Sequence, residues 1–93
     1  MKKYHDFLIE RLKDPKQAAG YLNAVLEEQD EEMFLIALKE VAEAQGGMSK
    51  LSRVAKLNRP NLYRIFSKHG NPEICTISNI LNVFGLRLSV ATK

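Results

Sequence analysis

With 93 residues, 45% of them apolar and 27% charged, the chain has the composition of one small folded domain and not of a disordered segment. No apolar run approaches the roughly 20 residues that a membrane span requires, and the first residues lack the apolar stretch of a secretion signal, so a cytoplasmic protein with no membrane partner is expected. The net charge of +3 hides an asymmetry: residues 1–47 hold six basic and ten acidic side chains, a net of −4, whereas residues 48–93 hold eight basic and one acidic, a net of +7.

Such a division points to a polyanion as the partner of the basic half, nucleic acid first. It also suggests a single domain over 1–93, with acidic helices over 1–47 and a basic portion over 48–90. The lone cysteine, Cys75, excludes an internal disulfide and is read as a small apolar core residue. With only His5 and His69 beside it there is no metal-ligand cluster, and no cofactor is implied.

Helix signals begin at once. Tyr4 to Leu12 reads as a short amphipathic helix with Phe7, Leu8, Arg11 and Leu12 at helical spacing. Asp14-Pro15 restarts the chain, Asp as the N-cap and Pro at the first helical position, for a second helix to about Glu28 with Ala18, Ala19, Leu22, Val25 and Leu26 inward. Asp30 caps a third helix, in which Glu31 and Glu32 sit where the helix dipole favours acids, and Gly46-Gly47 end it near Gln45. The acidic cluster Glu27, Glu28, Asp30, Glu31 and Glu32 lacks the alternating spacing and central glycine of a calcium loop, and reads first as a solvated helix junction.

The stretch Met48–Ser67 fits two short helices packed across a tight turn. Leu51, Ala55, Leu57, Leu62 and Ile65 fill the buried places, and Ser52 is the small residue where the axes approach. Asn58 can cap the second helix and Pro60 falls in its first turn. The ninth position, which often needs positive φ and so glycine, is Lys56; a left-handed lysine costs on the order of 1 kcal/mol, which a packed domain tolerates.

Wheel geometry turns Leu62, Ile65 and Phe66 inward on the second helix, and Pro60, Tyr63, Arg64 and Ser67 outward, with Arg59 and Asn61 on the flanks. In a helix-turn-helix the N-terminal part of that helix meets base edges, so Arg59, Tyr63 and Arg64 are the expected readers. Lys50, Arg53, Lys56 and Lys68 are expected to hold the phosphate backbone by charge. An RNA-binding helical module fits less well, because the basic half lacks the stacked aromatics of single-strand readers.

After the loop His69-Gly70-Asn71-Pro72, a further helix from about Glu73 to Phe84 carries Ile74, Ile77, Ile80, Leu81 and Phe84 on one side, and Gly85 ends it. The tail alternates, so Leu86, Leu88 and Val90 would share one face of a strand. A lone strand leaves its ladder unpaired, and pairing with its twin across a two-fold axis is the expected remedy. The whole reading is all-α, five to six short helices with a C-terminal strand. The chain contains no nucleophile elbow, P-loop, dinucleotide fingerprint or zinc motif, and an enzyme is not expected.

The segments Asp6–Pro15, Ala18–Leu26, Phe34–Ala42, Leu62-Tyr63-Arg64, Gly70-Asn71-Pro72 and Gly85–Val90 together resemble the addiction-module antidote proteins, HigA-like antitoxins with an XRE-type (Cro/C1-like) DNA-binding domain of lambda-repressor-like fold. Where that family usually has Ala-Gly-Leu-Ser before the recognition helix, this chain has Ala55-Lys56-Leu57-Asn58. The resemblance implies a type II antitoxin that binds a small basic RelE/ParE-like toxin and represses the operon they share; with the readings above, the expected partners are that toxin, double-stranded operator DNA and a second copy of the chain in a homodimer. The alternative is an XRE-type repressor without a toxin. Little polar, low-complexity sequence is available to form a disordered inhibitory tail, so toxin contact is expected from folded helices, with Glu27, Glu28, Asp30, Glu31 and Glu32 as a docking patch.

Overall fold

The computed structural model describes residues 2–93, which form six helices and, among the described residues, no strand. They are α1 (Lys2–Arg11), α2 (Pro15–Glu27), α3 (Glu31–Ala44), α4 (Gly47–Ala55), α5 (Arg59–Ile65) and α6 (Ile74–Val83). The protein is all-α.

Local chemistry sets most boundaries. The Asp14 carboxylate accepts from the Lys16 amide at 3.0 Å and Pro15 opens α2; the Asp30 carboxylate accepts from the Met33 amide at 3.2 Å and opens α3. Each satisfies one of the four amides that every helix start leaves unpaired. At the other end of α1, the Gln45 side-chain amide donates to the carbonyls of Leu12 (2.9 Å) and Lys13 (3.0 Å), so the exit of α3 caps the exit of α1. The α3–α4 junction needs Gly46, whose φ of 125° is open only to a residue without Cβ. Helix α6 closes with Gly85 and Leu86 donating to the carbonyls of Asn82 (3.1 Å) and Leu81 (3.0 Å), a Schellman motif.

Helix α3 is the centre of the fold. It packs against α1, α2 and α4, and α4 packs in turn against α5 and α6. Its Phe34, Leu35, Ala37, Leu38, Val41 and Ala42 are buried, so this helix is covered on more than one side. Leu12, Leu22, Leu38, Leu51, Leu62, Ile80 and Phe84 join one apolar cluster that reaches from the end of α1 to the end of α6. Two polar contacts brace the acidic half: Tyr21 donates to the Glu40 carboxylate at 2.6 Å, and the His5 ring meets the Glu43 carboxylate at 3.0 Å. Burial and the bond to Glu40 push the Tyr21 phenol well above its ordinary value. The hydrogen bond to Glu43 raises the His5 pKa above 6.5.

Several expectations need correction. Cys75 is exposed, because it follows Ile74 in the first turn of α6, outside the stripe that Ile77, Ile80, Leu81 and Phe84 turn inward. Ile74 itself is 74% exposed, and Phe7 of α1 is also exposed. Helical spacing identifies a stripe but not where its edge leaves the core. Helix α5 stops at Ile65, so Ser67 lies beyond it and its hydroxyl donates back to the Arg64 carbonyl at 2.7 Å. Residues 86–93 carry neither helix nor strand in the single chain, where the Leu86 amide closes the end of α6 on the Leu81 carbonyl; Leu88 and Val90 are exposed and Leu86 is half-buried against the core.

Candidate nucleic-acid interface

Helices α4 and α5 are joined by only Lys56, Leu57 and Asn58. The turn works because Lys56 takes the left-handed conformation, φ 57° and ψ 38°, at the position where the sequence pattern calls for it. Leu57 tucks half-buried against the core, and the Asn58 side chain accepts from the Asn61 amide at 2.8 Å to start α5. Leu51 and Leu62 are fully covered and Ile65 is buried, so the inner faces of both helices are fixed by packing. Outer positions follow from those inner ones.

The expected outward residues are indeed at the surface. Arg53, Lys56, Arg59, Pro60, Tyr63, Arg64, Ser67 and Lys68 are exposed, Tyr63 at 54% of its area; Lys50 and Asn61 are half-buried. Six of the eight cations of the basic half fall between Lys50 and Lys68, and no acid occurs from Met48 to Pro72. Among the described residues the two ion pairs, His5–Glu43 and Lys13–Glu10, both lie in the acidic half. The cations of α4 and α5 therefore keep their charge uncompensated by carboxylates.

Two arginines are held by neutral partners. The Arg59 guanidinium donates to the Ser49 hydroxyl, and the Arg64 guanidinium donates to the Asn61 side-chain oxygen. Both bonds fix the direction of a long side chain without neutralising it, and leave other N–H donors of the fork free for an acceptor. Ser49 is a residue that sequence reasoning missed. Its contact with Arg59 spans ten positions across a turn, and no periodicity signals that.

The other expected sets are separate from this face. Glu27, Glu28, Asp30, Glu31 and Glu32 are all exposed at the α2–α3 junction, with Asp30 occupied as a cap. Among the described residues no group of histidines, cysteines and carboxylates has the arrangement to hold a metal ion, and no helix is long and apolar enough to cross a membrane.

These features define a small all-helical protein whose C-terminal half presents a cationic surface on two short helices. Residues 3–92, nearly the whole chain, match a family model described as "Probable addiction module antidote protein", and the chain belongs to that family. It is also similar to an uncharacterized protein of Haemophilus influenzae (strain ATCC 51907 / DSM 11121 / KW20 / Rd), 33% identical over 81 residues that cover 87% of this chain and 82% of the relative. No solved structure matches it.

Proposed function

We propose that this chain is the DNA-binding antitoxin of a type II toxin–antitoxin module, a HigA-like protein whose α4–turn–α5 unit acts as an XRE-type helix-turn-helix. Family membership supplies the antidote role, and an antidote requires a toxin. The observation that carries the DNA reading is the acid-free cationic surface of α4 and α5, with Arg59, Tyr63 and Arg64 pointing away from a fully packed inner face. Arginine suits guanine O6 and N7, and Tyr63 suits a thymine methyl or a phosphate; Lys50, Arg53, Lys56 and Lys68 contribute backbone charge, with Pro60, Asn61 and Ser67 at the edges of the contact.

Operator sites are commonly two-fold, and a dimer presents two such helices to one site. The tail offers the means: Leu86, Leu88 and Val90 alternate, and the last two are exposed in the single chain, so strand pairing with a second copy satisfies backbone and apolar groups together. The acidic junction Glu27–Glu32 is the side presented to a basic RelE/ParE-like toxin, whose association it accelerates.

Co-expression tests the reading. A short basic protein encoded beside this chain should arrest growth alone and be silenced by the chain, and the chain should retard duplex DNA from just upstream of the pair. Retardation without neutralisation would leave a repressor lacking a toxin; failure of both would overturn the proposal.

A further inference from the structure

A second surface, sharing no residue with the cationic one, lies where the α2–α3 junction faces the loop 70–72 and the start of α6. It is a groove of about 460 Å³ whose apolar lining includes Leu26, Phe34, Ile74 and Ile77. Leu26 is 46% exposed and Ile74 is 74% exposed, so the free chain keeps two large apolar side chains in water at one concavity. Contiguous exposed apolar surface of this kind marks an interaction site more often than a scattered leucine does.

The rim is acidic. Asp30 and Glu31 line the groove, and no basic side chain does. Glu27 and Glu28 stand at the C-terminal end of α2, where the helix dipole disfavours negative charge, so the fold gains nothing from acids at those two positions. Glu31 and Glu32 help to start α3, but Glu27 and Glu28 find no such local reason.

Apolar floor and acidic rim together specify the occupant. We propose that this groove docks an amphipathic helix of the toxin, apolar side chains at i, i+3 or i+4 and i+7 seated on Leu26, Phe34, Ile74 and Ile77, with flanking Lys and Arg meeting Glu31 on the rim and Glu27 and Glu28 on the adjoining end of α2, outside the lining itself. The groove is walled by helices and a loop, and the described residues offer no strand edge for an extended peptide, which favours a helix. The inference rests on the antitoxin reading and identifies where and how that reading is executed. Because the groove excludes Arg59, Tyr63 and Arg64, toxin and DNA are held on different surfaces.

The test uses the full chain and the short basic protein from the neighbouring reading frame, titrated by calorimetry. Ile74→Asp should weaken binding by about 100-fold, as loss of a central apolar anchor does, and the triple variant Glu27→Lys/Glu28→Lys/Glu31→Lys by about 10-fold with a smaller salt dependence. Exposed positions should leave the melting temperature near that of the wild type. If the wild type binds and both variants bind within about twofold of it, the groove is not the docking site while the antitoxin reading stands. If the wild type binds no neighbouring protein, that reading fails and takes this one with it. If Ile74→Asp turns a dimer into a monomer in sedimentation, the occupant is a second copy and the proposal is overturned.

Discussion

The Arg59 guanidinium donates to the Ser49 hydroxyl, which ties the first turn of α5 to the first turn of α4 across the three-residue turn between them. The bond orients a cation without pairing it to an anion. Ser49→Ala should therefore leave stability within about 0.5 kcal/mol of the wild type, since both partners are exposed. It should weaken operator binding less than Arg59→Ala, for which about 1–3 kcal/mol is expected on the cognate duplex. Fluorescence anisotropy on cognate and scrambled duplexes separates the outcomes: equal losses on both would make Arg59 a phosphate contact.

Lys56 stands in the left-handed region, where a Cβ crowds the backbone. Lys56→Gly should stabilise the protein by up to about 1 kcal/mol in urea denaturation, the relief of left-handed strain outweighing the added freedom of glycine in the unfolded chain. A β-branched residue there, as in Lys56→Val, should destabilise it. Operator affinity of Lys56→Gly should fall slightly through the lost charge, so stability and binding move in opposite directions.

Gly70 illustrates a different constraint. A Cβ at this position would collide with the carbonyl oxygens of Arg64 and Ile65, which are backbone atoms and cannot swing aside. Gly70→Ala should displace the loop or destabilise the protein by about 1–3 kcal/mol, measured as a lower denaturation midpoint. An unchanged midpoint would mean that the loop packs less tightly on α5 than described.

His5 and Glu43 join α1 to α3, and their hydrogen bond raises the His5 pKa above 6.5. A group whose folded pKa is raised stabilises the fold fully below its unfolded pKa, and that contribution is lost as pH rises through the folded value. Glu43→Gln should thus lower the melting temperature at about pH 5 and have a smaller effect at about pH 9. An NMR titration of the His5 ring should show its midpoint moving down in the variant. A midpoint that stays where it was would remove Glu43 as the cause.

Helix starts were legible because their causes are local: Asp14-Pro15, Asp30 and Asn58 carry the cap within the three residues that use it. The special turn at Lys56 was legible too, as a position in a spacing pattern rather than from the lysine itself. What the spacing could not give is depth. Ile74 and Phe7 fit their helical stripes and yet face water. Cys75 was expected in the core on residue type alone, and type does not know which way the first turn of α6 faces. The apolar groove was invisible for a stronger reason, since its walls come from residues 26–35 and 70–77, which meet only in the folded chain. Gln29, at φ 56°, replaces the glycine or asparagine that usually follows a helix, and no local signal announces it.

The central claim is that Tyr63 and Arg64 on the outer face of α5 read a DNA duplex. The most direct measurement titrates labelled duplex from upstream of the chain's reading frame with the wild type and with Tyr63→Ala/Arg64→Ala over a series of salt concentrations. The account predicts log affinity falling linearly with log salt, by about 0.9 per phosphate neutralised, and a loss of at least about 10-fold for the double variant on the cognate duplex with its helical content unchanged. Salt-independent binding, or equal affinity of wild type and variant for that duplex, would contradict it.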